Sequence, residues 1–185
     1  EIELEEECLK ILALHQPVAF DLRYVTSCMK INSDLERIGD LAVNVAERAA
    51  AMAEEKEERC PFDNLFLMMD KSMVMLKESL GSLINMDAEE AAKILAMDDE
   101  VDALNREIYR EVKKHIRKKP KKTAYYLHVL GVARQFERIA DYTTNIAEDV
   151  IYMMEGRIVR HRSSLPDKLN DPSEKDPPDE LPSEE

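Results

Sequence analysis

Apolar and polar positions follow a helical period along most of this 185-residue chain, and short breaks divide it into segments. Residues 1–14, EIELEEECLKILAL, read as the end of a helix whose start lies upstream. HQP interrupts the pattern, with Pro17 suited to a first helical turn, where no backbone N–H is needed. A long helical pattern then runs from about 18 to 55. Cys60-Pro61 repeats the device, and helix resumes to about Asn85. Asp87 with Glu90 three residues on reads as a capping box opening a helix to about Lys118. Pro120 starts the last helix, and Gly156 is placed to stop it. The pattern predicts an all-α fold with short connections and antiparallel neighbours.

One pattern occurs twice. DLERIGDLAVNVAE at 34–47 returns as QFERIADYTTNIAE at 135–148, 101 positions later. Such a repeat predicts a duplicated helical unit. Two helices, over 62–118, precede the second copy, but only the end of one precedes the first. The expectation is that about fifty residues of the first unit are missing from this chain. With Glu36 at zero and about 100° per residue, Asp40 falls near 40°, Glu47 near 20° and Asn44 near 80°. Leu35, Ile38, Ala42, Val45, Ala46 and Ala49 cluster at roughly 180–280° on the same wheel, the side expected to face the core. The second copy puts Glu137, Asp141, Asn145 and Glu148 on one side. Phe136, Ile139, Ile146, Ala147 and Val150 lie on the other.

Carboxylates four apart on a helix repel each other. Either the adjacent Arg37 and Arg138 neutralise the pairs, or a cation bridges them, since hard cations favour oxygen ligands. In MDDEVDALNREI, Asp98 and Asp102 form a further pair four apart. If that helix runs antiparallel to the one bearing Glu137 and Asp141, the pairs share a site. The first copy would then lack the corresponding half of its ligands.

Composition narrows the function classes. Hydrophobic residues are 44%, charged residues 35% and aromatics 5%, a profile of long helices with aliphatic faces. The net charge of −13 argues against nucleic acid and suits a cation-binding surface. No apolar run is long enough for a membrane span. Cys8, Cys28 and Cys60 lack Cys-x-x-Cys spacing and read as reduced, mostly buried thiols of a cytosolic chain. His15, His115, His128 and His161 read as surface or helix-end residues. None follows a Glu by three, which weakens a carboxylate-bridged di-iron oxidase. KKHIRKKPKK at 113–122 fits a helix C-terminus, where cations complement the helix dipole, better than a phosphate or acidic-partner site. The methionines of LFLMMDKSMVML read as core. The stretch 163–185 holds five of eight prolines and eight acids against two lysines, and reads as a disordered tail. No catalytic constellation is visible.

EIELEEECLKILALHQPVAFDLRYVTSCMKINSDLERIGDLAVNVAERA closely resembles the first repeat of the PhoU family of phosphate-transport regulators. DDEVDALNREI and FERIADYTTNIAEDVIY with Gly156 resemble its second repeat. The resemblance implies tandem antiparallel three-helix bundles, the first incomplete at its N-terminus. It divides the chain into residues 1–57, the end of the first repeat, 58–158, the second, and 159–185, the acidic tail. It implies a cytoplasmic protein, often a homodimer, not an enzyme and not inserted in the membrane. Such proteins link the phosphate ABC transporter ATPase to a sensor histidine kinase and repress the phosphate-starvation response. Metal, with iron or zinc ahead of magnesium or manganese, falls on Glu36, Asp40, Asp98, Asp102, Glu137 and Asp141. Asn44, Glu47, Asn145 and Glu148 are accessory. The alternative is a PhoU-like cytosolic domain of a sodium–phosphate cotransporter.

Overall fold

A computed structural model describes residues 1–54 and 60–159. Five α-helices carry the chain: α1 Ile2–His15, α2 Ala19–Glu54, α3 Asp63–Asn85, α4 Ala88–Lys118 and α5 Thr123–Glu155, with a 3-10 turn at Pro120–Lys122 before α5. No described residue is in a strand. Each boundary has a local cause. Asp87 Oδ1 accepts from the backbone N–H of Glu90 at 3.0 Å and caps α4. Only half of the expected capping box forms, because Glu90 turns to Lys93 at 2.7 Å instead. Gly156 closes α5 at φ 70°, a conformation that costs other residues strain, and donates to Tyr152 O at 2.9 Å. Pro17 and Pro61 differ from expectation. Both lie in connections ahead of their helices, since α2 starts at Ala19 and α3 at Asp63.

α5 is the central element, packed against α2, α3 and α4. Its buried positions Tyr125, Val129, Val132, Phe136, Ile139, Thr143, Ile146 and Val150 advance by four and three in turn. That step holds an apolar seam against neighbours crossing at small angles. α3 answers with Leu65, Met68, Ser72, Met75, Ser79 and Ser82 in the same rhythm. The serines let helices approach closely, and their hydroxyls stay satisfied: Ser72 Oγ donates to Met68 O at 2.9 Å and to Phe136 O at 3.2 Å. α3 is antiparallel to α4, tied by the Lys71–Glu100 pair and by Asn64 donating to Glu111 at 3.1 Å. The three helices close a bundle whose end is plugged by Phe62, His115 and Tyr126, with ring centroids 5.0–6.0 Å apart. Phe62 has no exposed surface. His115 is thus half-buried in the last turn of α4, the helix-end place expected of it. His128 is half-buried as well, and its Nδ1 has no hydrogen-bond partner among the described residues. His161 lies outside them.

α2 runs antiparallel to α5. Arg23 Nε donates to Met153 O at 3.1 Å, Lys30 reaches Asp149 at 3.4 Å, and Arg37 reaches the Tyr142 hydroxyl at 3.4 Å. α1 packs on α2 and on no other described element. Among the described residues this first bundle is incomplete, and no further helix covers its apolar face. Ile2, Leu9 and Leu14 on α1, with Phe20, Leu22 and Val43 on α2, are exposed. Ala42, Ala46 and Ala49, expected to face a core, are exposed too. Their counterparts 101 positions on, Thr143, Ala147 and Val150, are buried because α3 and α4 stand against α5. Among the methionines, Met68 and Met75 are buried as expected, whereas Met73 faces outward. The acidic tail lies, but for Val159, outside the described residues.

Candidate metal centre

The buried seam of α4 runs through Ala91, Ile94, Val101, Leu104, Ile108 and Val112. Asp98 stands four residues after Ile94 and three before Val101, so a carboxylate occupies a seam position. α4 lies antiparallel to α5, and this register brings Asp98 and Asp102 to Glu137 and Asp141. Burial first, then the charges of Asp141, Asp102, Asp99 and Glu137, push the Asp98 carboxyl from 3.8 to about 6. Glu137 is raised by burial and by Asp141 and Asp102, against the pull of Arg134 and Arg138. Asp141 is raised by burial and by Asp102, with Arg138 opposing. Asp141 itself is an exposed residue, so the neighbouring charge is the firmer of its two causes.

In the second copy the acidic stripe therefore does not lie opposite the core. It lines the edge where α5 meets α4. Asp102 pairs with Arg106 at 3.5 Å. Among the described residues no Lys or Arg forms an ion pair with Asp98, Glu137 or Asp141, although Arg134 and Arg138 are near enough to act on them. Four carboxylates with oxygen donors only, half sheltered and short of counter-charge, fit a hard cation in chemistry. As the side chains stand, no three His, Cys, Asp or Glu among the described residues are gathered into a coordination shell. Beside the cluster an open groove of about 600 Å³ is lined by Asn105, Tyr109, Leu130, Arg134, Glu137, Arg138 and Asp141.

The PhoU domain family model matches residues 1–49 and 65–150. This chain belongs to the PhoU family. It is 41% identical over 162 residues to the "Phosphate-specific transport system accessory protein PhoU homolog" of Aquifex aeolicus, a match spanning 88% of this chain and 73% of that protein. The crystal structure of PhoU from Pseudomonas aeruginosa superposes with a TM-score of 0.79 at 36% identity, covering 83% of this chain and 73% of that one. The phosphate transport system regulatory protein PhoU from Streptococcus pneumoniae gives a TM-score of 0.74 at 30% identity, covering 84% and 72%.

In this PhoU-family chain the first motif is placed differently. Glu36, Asp40, Asn44 and Glu47 all point to solvent, and Asn44 donates to Asp40 O at 3.0 Å within its own helix. No described helix brings carboxylates to them. Asn145 is half-buried on α5. Glu148 is about 10 Å further along the helix from Asp141, by a rise of 1.5 Å per residue. It lines a separate 140 Å³ cavity with Lys30, Asp149 and Tyr152.

Sequence reasoning passed over Asp149, 2% exposed, which anchors α2 through Lys30. It also passed over Arg134 and Tyr109 beside the carboxylates. The available signal for Asp149 was an acid written between Ala147 and Val150, both on the buried side. No described helix is long and apolar enough to cross a membrane.

Proposed function

We propose that this chain is a non-enzymatic, metal-binding adaptor of phosphate uptake and signalling. It acts in the cytoplasm as a homodimer, linking the phosphate ABC transporter ATPase to a sensor histidine kinase and holding the starvation response down. Membership of the PhoU family, with relatives named as accessory proteins of phosphate-specific transport, supports the phosphate-regulatory part. The observation that carries the metal part is Asp98, a carboxylate on the α4 seam turned toward Glu137 and Asp141 without a basic partner.

Asp98, Asp102, Glu137 and Asp141 would hold the ion, iron or zinc ahead of magnesium or manganese. The cation supplies positive charge that offsets their repulsion and pins α4 to α5. Glu36 and Asp40 are proposed as half of a second site, one that no described helix of this chain completes. Metal analysis of the purified chain tests the first site: the Glu137→Ala/Asp141→Ala variant should lose bound metal. Unchanged content would remove both residues from it. Recovery of the transporter ATPase and the kinase with the tagged protein from phosphate-replete cells tests the adaptor role.

A further inference from the structure

The groove along α4 and α5 has two chemistries on its walls. Glu137 and Asp141 are on one side; Arg134, Tyr109 and Asn105 offer hydrogen-bond donors, as does Arg138, whose guanidinium also reaches the Tyr142 hydroxyl. Asn105 and Tyr109 also line an adjoining hollow of about 540 Å³ with Arg106 and Arg110. Tyr109 is 58% exposed, and Arg134 forms no ion pair among the described residues. Were the arginines there only to neutralise the carboxylates, they would stand within ion-pair distance of Glu137 or Asp141, and neither does. Guanidinium forks match the oxygens of a phosphate group better than any other side chain does. An anion entering the bare groove meets two carboxylates and is repelled. With a cation on the carboxylates, the repulsion becomes attraction. A cation drawing on Asp102 would also release Arg106, now held at 3.5 Å, toward the same hollow.

We propose that this groove binds a phosphate dianion, free or as the monoester end of a small molecule, on Arg134 and Arg138, and binds it more tightly when a divalent cation occupies the adjacent carboxylates. This rests on the metal site proposed above. Binding is then reciprocal: the factor by which cation tightens phosphate equals the factor by which phosphate tightens cation.

Equilibrium dialysis with labelled inorganic phosphate, and in parallel with glycerol 3-phosphate, tests this with and without Mn²⁺ as the probe cation. Bound Mn²⁺ is followed separately by its electron paramagnetic resonance signal. Saturating Mn²⁺ should tighten phosphate about tenfold. Arg134→Gln/Arg138→Gln should abolish that gain while retaining Mn²⁺ at least as well as the parent. Retention of the free ion alone, or of both compounds, decides between the two sources. Mn²⁺ bound with phosphate retention unaffected overturns this inference and leaves the metal site standing. Phosphate retained equally without Mn²⁺, or equally by the double variant, overturns it too. No Mn²⁺ bound by the parent chain overturns both.

Discussion

Replacing Asp98 by Asn should make the metal-free protein more stable at neutral pH, although it alters a half-buried polar residue on the core seam. The carboxyl is raised from 3.8 to about 6, burial being the larger cause and four neighbouring acids the rest. The folded state therefore holds the proton more tightly than the unfolded chain. Stability from this group is fully present below about pH 3.8 and is lost as pH rises through about 6. Two units would correspond to about 3 kcal/mol if fully expressed. Asp98 is only half sheltered, and water screens it, so about 1–2 kcal/mol is the reasonable share. Asn keeps the shape and removes the charge. Urea unfolding of both proteins in chelator should show the variant ahead by about that amount at pH 7.5, or roughly 2–8 °C in Tm. The gap should close as pH falls toward 4. Mn²⁺ at a hundredfold above its Kd should add about 2.7 kcal/mol to the parent and much less to the variant. Equal stability at pH 7.5, or a gap of the same size at pH 4, would refute the electrostatic account of the cluster.

Three further outcomes follow from the geometry. Glu36→Gln/Asp40→Asn should leave the metal content of this chain unchanged by plasma mass spectrometry, because no described helix faces that pair with further carboxylates. Asp87→Ala removes the side-chain acceptor at the start of α4 and should cost about 1 kcal/mol in denaturant unfolding. Met75→Ala empties a fully buried position of the α3 seam and should cost about 2–5 kcal/mol, whereas Met73→Ala on the exposed side of the same helix should fall within about 0.5 kcal/mol.

The helices were legible because their punctuation is chemical: Asp87, Pro120 and Gly156 each act where the pattern put them. The approach of Asp98 and Asp102 to Glu137 and Asp141 was legible only as a condition, since it depends on α4 running antiparallel to α5. What failed was the face of α2. The wheel assigns Ala42, Ala46 and Ala49 to a core from their apolar character alone, but burial needs a neighbour, and none of the described helices covers them. The burial of Asp98 rests on its spacing, four after Ile94 and three before Val101, which makes this acid part of the seam.

The two motif copies face each other across one helix pair. Lys30 meets Asp149 on α2 and α5, and adding 101 to one number while subtracting it from the other gives Gly131 and Arg48, which also meet. The antiparallel pair is thus built on an approximate twofold in the sequence, yet its two ends are not equivalent. At one end an ammonium pairs with a buried carboxylate; at the other a glycine leaves room for a guanidinium, and a Cβ there would stand 2.8 Å from Arg48 Nε. Arg37 of the first Glu-Arg-Ile-x-Asp ties α2 to α5 through Tyr142, whereas the carboxylates Glu36, Asp40, Glu137 and Asp141 form no ion pair between these two helices among the described residues. What separates the copies is the third helix: α4 brings Asp98 and Asp102 to one, and no described helix brings the like to the other. The motif is therefore half of a site, and the chemistry appears only where a second acidic helix is packed against it.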